Sequence, residues 1–65
     1  MDKIKQLDAY MKELLDKYKE LYLAHKETEE VVDQLKIVVD ELVQLEPNNR
    51  LYKDVHKMVD VIRKE

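Results

Sequence analysis

The side chains best suited to chemistry in this chain are two histidines, each placed four residues before a carboxylate. His25 precedes Glu29 by this distance, and His56 precedes Asp60. On a helix the spacing puts both side chains on one face, where they form either a surface pair or two ligands of a metal ion. The Glu-x-x-His spacing of carboxylate-bridged di-metal bundles is absent from the sequence. We therefore interpret both as surface pairs and predict neither a metal nor another cofactor.

The sequence contains few residues that could serve as a catalytic nucleophile or form a phosphate-binding loop. The 65 residues include no cysteine, no glycine and no serine, and Thr28 is the only hydroxyl residue other than tyrosine. Thiolate chemistry and glycine-rich phosphate loops are therefore excluded. We predict that the protein is not an enzyme and has no catalytic residues.

Acidic side chains gather in the middle of the chain, at Glu27, Glu29, Glu30 and Asp33. Such a cluster could imitate nucleic-acid phosphates, but a solvated helix face explains it equally well, and we prefer that interpretation. The net charge of −3 argues against a nucleic-acid partner. The longest apolar runs, Leu21–Ala24 and Ile37–Val39, are far shorter than a membrane span. We therefore expect a soluble cytoplasmic protein with no membrane partner.

The elements that would position these residues follow from the spacing of the apolar side chains. A stripe with heptad steps of three and four residues runs through 4–42 and is polar only at His25 and Thr28, which would fix its register. Such a stripe is typical of a coiled-coil or helix-bundle seam, so the predicted fold class is all-α. The stripe consists of Ile4, Leu7, Met11, Leu14, Tyr18, Leu21, His25, Thr28, Val32, Leu35, Val39 and Leu42.

Pro47 predicts the end of this helical region near Leu45, because proline lacks a donor N–H and disfavours helical geometry in the residue before it. One of the two asparagines that follow then caps a last helix over about 50–64. Seven acids and one lysine give residues 27–46 a net charge of −6, whereas five bases and three acids give residues 50–65 a net charge of +2. The opposite signs and the short connection predict an antiparallel helical hairpin.

The segment 24–30 decides between two architectures. No residue in it breaks a helix, the heptad phase is the same on both sides, and a turn normally needs a left-handed residue such as glycine. These points favour one long helix over about 2–45. Thr28 followed by two glutamates, however, has the composition of a helix start. The alternative is therefore a compact antiparallel three-helix bundle with a turn near 25–28.

The long helix has a functional consequence, because a short last helix covers only its final third. The uncovered part of the apolar stripe would not persist on a soluble monomer. We therefore expect one helical domain over 1–65, in which 1–26 binds a partner and 27–65 forms the hairpin. The first expected partner is a second copy of the chain, in a homodimer or higher oligomer. The alternative is that the protein is an inhibitor or adaptor that binds and blocks a larger protein complex. The expected partner-binding residues are Ile4, Leu7, Met11, Leu14, Tyr18 and Leu21.

The segment LEPNNRLYKDV, which follows the heptad stripe, resembles part of a prefoldin β-type subunit. In that family an N-terminal coiled-coil helix leads into a β-hairpin that starts with tyrosine, a basic residue, any residue and valine, here Tyr52 to Val55. The resemblance implies a fragment of a tentacle-like chaperone. This chain departs from the pattern at His56 and Lys57, where the family has glycines, and the residues that follow keep a helical period.

Overall fold

Three α-helices make up the protein in a computed structural model that describes residues 2–64. They are α1 (Lys3–Leu23), α2 (Glu29–Leu45) and α3 (Arg50–Lys64), and no strand is present among the described residues. The short connections make successive helices antiparallel, and α2 packs against both α1 and α3. The all-α class is confirmed, and the architecture is the three-helix alternative.

The core lies between the helices and is supplied mainly by α2. Its buried residues are all hydrophobic, and no polar or charged residue is buried among the described residues. The alternation of three- and four-residue steps places these side chains on one face of each helix, so all three apolar faces meet. The buried residues are Met11, Leu14, Val31, Val32, Leu35, Val38, Val39, Leu42, Tyr52, Val55 and Val59.

The preferred single helix over about 2–45 is corrected by a turn at residues 24–28, and His25 explains how this turn forms without glycine. His25 adopts a left-handed backbone with φ of 58°. Its N–H donates to the carbonyl of Tyr22 at 3.1 Å, and the N–H of Lys26 donates to the carbonyl of Leu21 at 2.9 Å. This pair of hydrogen bonds is the Schellman motif that ends many helices. Histidine is enriched among the non-glycine residues that accept this conformation, so the absence of glycine does not prevent the turn.

The other helix boundaries follow the sequence prediction closely. Helix α2 ends at Leu45, two residues before Pro47. Asn49 caps α3, because its Oδ1 accepts a hydrogen bond from the N–H of Tyr52 at 3.3 Å. Thr28 occupies the capping position of α2, but its hydroxyl makes no capping hydrogen bond.

The resemblance to a prefoldin β-type subunit implied a β-hairpin starting at Tyr52, and the structure has no hairpin there. Residues 52–55 lie in α3, where Tyr52 and Val55 are buried three residues apart on the face that packs into the core. Helical spacing of the apolar residues therefore determines the local structure of this segment.

Candidate functional site

The six residues expected to bind a partner all lie inside the bundle or against it. Met11 and Leu14 are buried in the core, and the other four, Ile4, Leu7, Tyr18 and Leu21, are partly buried and pack against it. Helix α2 covers them, because the turn at 24–28 folds it back along α1. Their role in binding a partner stays a prediction, but the uncovered stripe from which we inferred it does not exist in this fold.

The two histidine–carboxylate pairs are arranged differently in the structure. His25 and Glu29 do not share a helix, since His25 lies in the turn before α2 begins. His56 and Asp60 do share α3, with Nδ1 of His56 3.9 Å from Oδ2 of Asp60. The nearer partner of His56 is Asp40 of α2, whose Oδ1 lies 2.9 Å from Nε2. The opposite net charges of residues 27–46 and 50–65 predicted that the two segments pair, but not that His56 contacts Asp40.

Among residues 2–64 no group of three or more histidine, cysteine, aspartate or glutamate side chains is arranged to hold a metal ion. The two carboxylates beside His56 are the contacts of its imidazole, at 2.9 Å for Asp40 and 3.9 Å for Asp60. Asp40 also accepts a hydrogen bond from Nζ of Lys36 at 3.2 Å, so it already has a cationic partner on its own helix. The contact between His56 and Asp40 ties α3 to α2.

The acidic cluster lies at the start of α2, beside an open depression of about 460 Å³. Asp33 in this cluster pairs with Arg63 of α3, which partly neutralises it. The remaining members are exposed, and the structure gives the cluster no second feature that would identify a ligand. The depression is lined by Glu27, Thr28, Glu29, Val32, Asp33, Ile62 and Arg63.

One polar contact crosses the core directly from α3 to α1. The hydroxyl of Tyr52 donates to Oδ1 of Asp8 at 3.1 Å, and Nζ of Lys12 lies 3.0 Å from Oδ2 of the same carboxylate. Hydrogen bonds from Lys12 and Tyr52 hold the pKa of Asp8 below its ordinary value, against an opposing effect of burial. Burial, and then the hydrogen bond to Asp8, raises the pKa of Tyr52. The group is therefore a structural pair of a neutral phenol and a carboxylate.

Large apolar side chains also lie outside the core, and three of them share one side of α3. Leu51, Met58 and Val61 are respectively 50%, 38% and 58% exposed. Their spacing of seven and three residues keeps them on one side of the helix, next to the buried face. Ile37 is exposed as well, but it lies on the outer face of α2 between acidic residues.

The polar contacts between helices show which way this side of α3 points. His56 and Arg63, at one edge of the buried face of α3, both pair with α2. The opposite edge, which carries Leu51 and Met58, therefore points toward α1. On α1 the same reasoning applies, because Lys3 pairs with Glu41 of α2 at 2.6 Å and marks the edge that faces α2.

The edge of α1 that points toward α3 carries Asp8 and Leu15, in agreement with the contact between Asp8 and Tyr52. No ion pair among the described residues joins α1 to α3, and the backbones of these two helices do not pack closely. We call the surface that they form together, on the side away from α2, the α1–α3 face. Its apolar residues are Leu15, Leu51, Met58 and Val61.

The α1–α3 face is the candidate functional site, and sequence reasoning found only part of it. By helical spacing alone Val61 falls on an outward position of α3, whereas Leu51 and Met58 fall on the apolar face with Val55 and Ile62, which predicts that they pack inward. The broad apolar face of α3 was the available signal, because it is wider than one neighbouring helix can cover.

No family model, curated protein sequence or solved structure matches this chain. Within residues 2–64, no helix combines the length and the apolar character needed to cross a bilayer.

Proposed function

We propose that this small helical protein is a non-enzymatic binding module that acts by associating with another protein through the α1–α3 face. The observation that carries the proposal is the row formed by Leu51, Met58 and Val61, three large apolar side chains that remain exposed beside a complete core. A single exposed apolar residue is ordinary, but neighbouring ones on one face are typical of an interaction surface. An adaptor or an inhibitor of a larger complex would both use such a surface.

Self-association through the Ile4–Leu21 stripe is less well supported by this fold. Binding a second copy through that stripe would require α1 to separate from α2, which exposes Met11 and Leu14 and disrupts the core. A partner that uses the α1–α3 face needs no such rearrangement, so the cost of binding is lower.

The proposal is tested by placing a photo-crosslinking amino acid at Val61 of the full chain in the cells that make it. The matched control carries the same amino acid at Ile37, which is 68% exposed and apolar but lies on the outer face of α2. We expect a defined protein adduct from Val61 that is absent from Ile37 and that disappears when Met58→Gln is added. Equal adducts from the two positions, or none from Val61, would overturn the proposal. An adduct of twice the chain mass would identify the partner as a second copy.

A further inference from the structure

We propose that the partner of the α1–α3 face is an acidic amphipathic helix, which lies along the gap between α1 and α3. This inference rests on the proposed binding function and adds the chemical class of the partner. It follows from the charges that border the apolar residues of the face and from the shape of the gap.

Two rows of basic side chains border the face, one on each helix. Within each row the residues are seven positions apart, which keeps them on one side of the helix. Lys12 is paired with Asp8 at 3.0 Å, but the other five make no ion pair with the described residues. All six are exposed, and they are Lys5, Lys12 and Lys19 on α1 and Arg50, Lys57 and Lys64 on α3.

The charge of the whole molecule is distributed unevenly, and α3 is its most basic helix. Five bases and two acids give α3 a net charge of +3, although the chain as a whole carries −3. Helix α2 has five acids and one lysine, for a net charge of −4. Helix α1, which carries the other row, has five lysines and four acids, for a net charge of +1. The α1–α3 side of the bundle is therefore more basic than α2, chiefly through α3, and would attract a partner of negative charge.

The shape of the gap suits one helix. Helices α1 and α3 run in the same direction, both pack on α2, and their backbones stay apart. From Leu51 to Val61 the apolar row extends about 15 Å, at 1.5 Å per residue. A helix of about three turns can cover this length with one apolar stripe, and its two acidic flanks would each face a basic row. The product would be a four-helix bundle in which α2 lies diagonally opposite the partner.

Other occupants fit the same surface less well. Two copies that met through their α1–α3 faces would place basic rows against one another. An anionic membrane would meet Asp54, an exposed carboxylate within the face, between Leu51 and Met58 on one side and the basic row of α3 on the other. A helix can hold a polar or basic side chain at a fixed position opposite Asp54, whereas the headgroups of a lipid surface have no fixed positions.

The inference is tested with the full chain and three designed peptides of about three heptads, which have leucine at positions a and d. The flanking positions e and g carry glutamate in the first peptide, glutamine in the second and lysine in the third. We expect the glutamate peptide to bind at least about tenfold more tightly than the glutamine peptide at low salt, a difference of about 1.4 kcal/mol. The lysine peptide should not bind, and the preference for glutamate should shrink as salt screens the basic rows.

Matched charge reversals locate the peptide on the protein. Arg50→Glu combined with Lys57→Glu should weaken binding of the glutamate peptide at least about tenfold, since both changes reverse charge beside the apolar row. The control is Lys17→Glu combined with Lys26→Glu, two exposed bases outside the face, and it should leave the affinity unchanged. Circular dichroism establishes that both double variants keep their helical content.

Each other outcome separates this inference from the binding function on which it rests. Equal affinity for all three peptides, or an equal effect of the two double variants, would overturn the acidic partner. Binding to vesicles of phosphatidylcholine with phosphatidylserine, without binding to any peptide, would overturn it in favour of a membrane. A Val61 adduct in cells together with no peptide binding would overturn the inference and leave the proposed function standing. Failure of both experiments would overturn both.

Discussion

At the scale of single residues, the fold depends on a histidine in a conformation that favours glycine. His25 has φ of 58° and ends α1, so it decides whether the chain turns or continues as one helix. The composition of segment 24–30 did not reveal this, because alanine, lysine and glutamate there all favour a helix. Burial of the apolar faces of α1 and α2 against each other outweighs that local preference.

His25→Gly should stabilise the protein. Glycine adopts the left-handed backbone without steric cost, and this gain exceeds its larger loss of conformational entropy, so we expect the free energy of unfolding to rise by about 0.5–1 kcal/mol. Chemical denaturation measures the difference. His25→Val is the companion variant and should destabilise the fold, because a β-branched residue accepts this backbone poorly. A loss of stability in His25→Gly would contradict the role assigned to the turn.

Tyr52→Phe should cost about 0.5–1.5 kcal/mol, the usual net value of one hydrogen bond, because it removes the contact with Asp8 across the core. Since the pKa of Tyr52 is raised in the folded protein, the unfolded chain loses this proton first as the pH rises. Stability that depends on the neutral phenol is therefore complete below about pH 10 and falls as the pH rises above it.

Thermal unfolding between neutral pH and pH 11.5 measures this dependence. Tyr52→Phe should lack the part of the alkaline loss that comes from Tyr52, whereas Tyr22→Phe, at a residue that is 65% exposed, should retain it. Asp8 gives a second pH dependence, at acidic pH. Because the pKa of Asp8 is lowered in the folded protein, stability is lost as the pH falls below the ordinary value of 3.8. An identical alkaline profile in Tyr52→Phe and the unaltered protein would contradict the assignment.

At the scale of elements, the sequence predicts helix ends well where a residue restricts the backbone directly. Pro47 and Asn49 did so, and α2 and α3 end and begin where they indicate. Thr28 shows the limit of such reasoning. It was recognised as a possible helix start, and α2 does begin after it, but its hydroxyl makes no capping hydrogen bond.

The helix caps therefore make unequal contributions to stability. Asn49→Ala should cost about 1 kcal/mol, because it leaves the N–H of Tyr52 without its side-chain partner. Thr28→Ala should change the free energy of unfolding by less than about 0.5 kcal/mol, since no capping bond is lost. Urea denaturation of the two variants in parallel makes the comparison. Equal losses in both would show that the hydroxyl of Thr28 caps α2 in solution.

At the scale of the whole molecule, the apolar stripe predicted from the sequence has a neighbour within its own chain. The residues from Ile4 to Leu21 do pack against a helix, and that helix is α2 of the same chain. Periodicity indicates which face of a helix is buried, but not what buries it, because a helix from another copy offers the same apolar surface. The exposed row on α3 was harder to predict, since the apolar face of that helix gives no boundary between buried and exposed positions.

The division into a partner-binding segment 1–26 and a self-standing hairpin 27–65 can be tested through Leu14. This residue is 4% exposed and belongs to the same core as Val59 of α3. We expect Leu14→Ala to cost about 2–5 kcal/mol, a large fraction of the stability of so short a chain. If the three helices share one core, this substitution should lower the stability of all three helices equally.

Native-state hydrogen exchange measures the loss of stability in each helix separately. Leu14→Ala should lower the protection of amides in α3 as much as in α1, because the opening that exposes them is global. Leu51→Ala is the control: it shortens a half-exposed side chain outside the core and should change protection little. A loss of protection confined to α1, with α2 and α3 still protected, would mean that the hairpin folds by itself. Helix α1 could then separate from α2 and pack against a partner helix instead. Equal loss in all three helices would instead favour a binding module whose core stays closed while the α1–α3 face makes the contact.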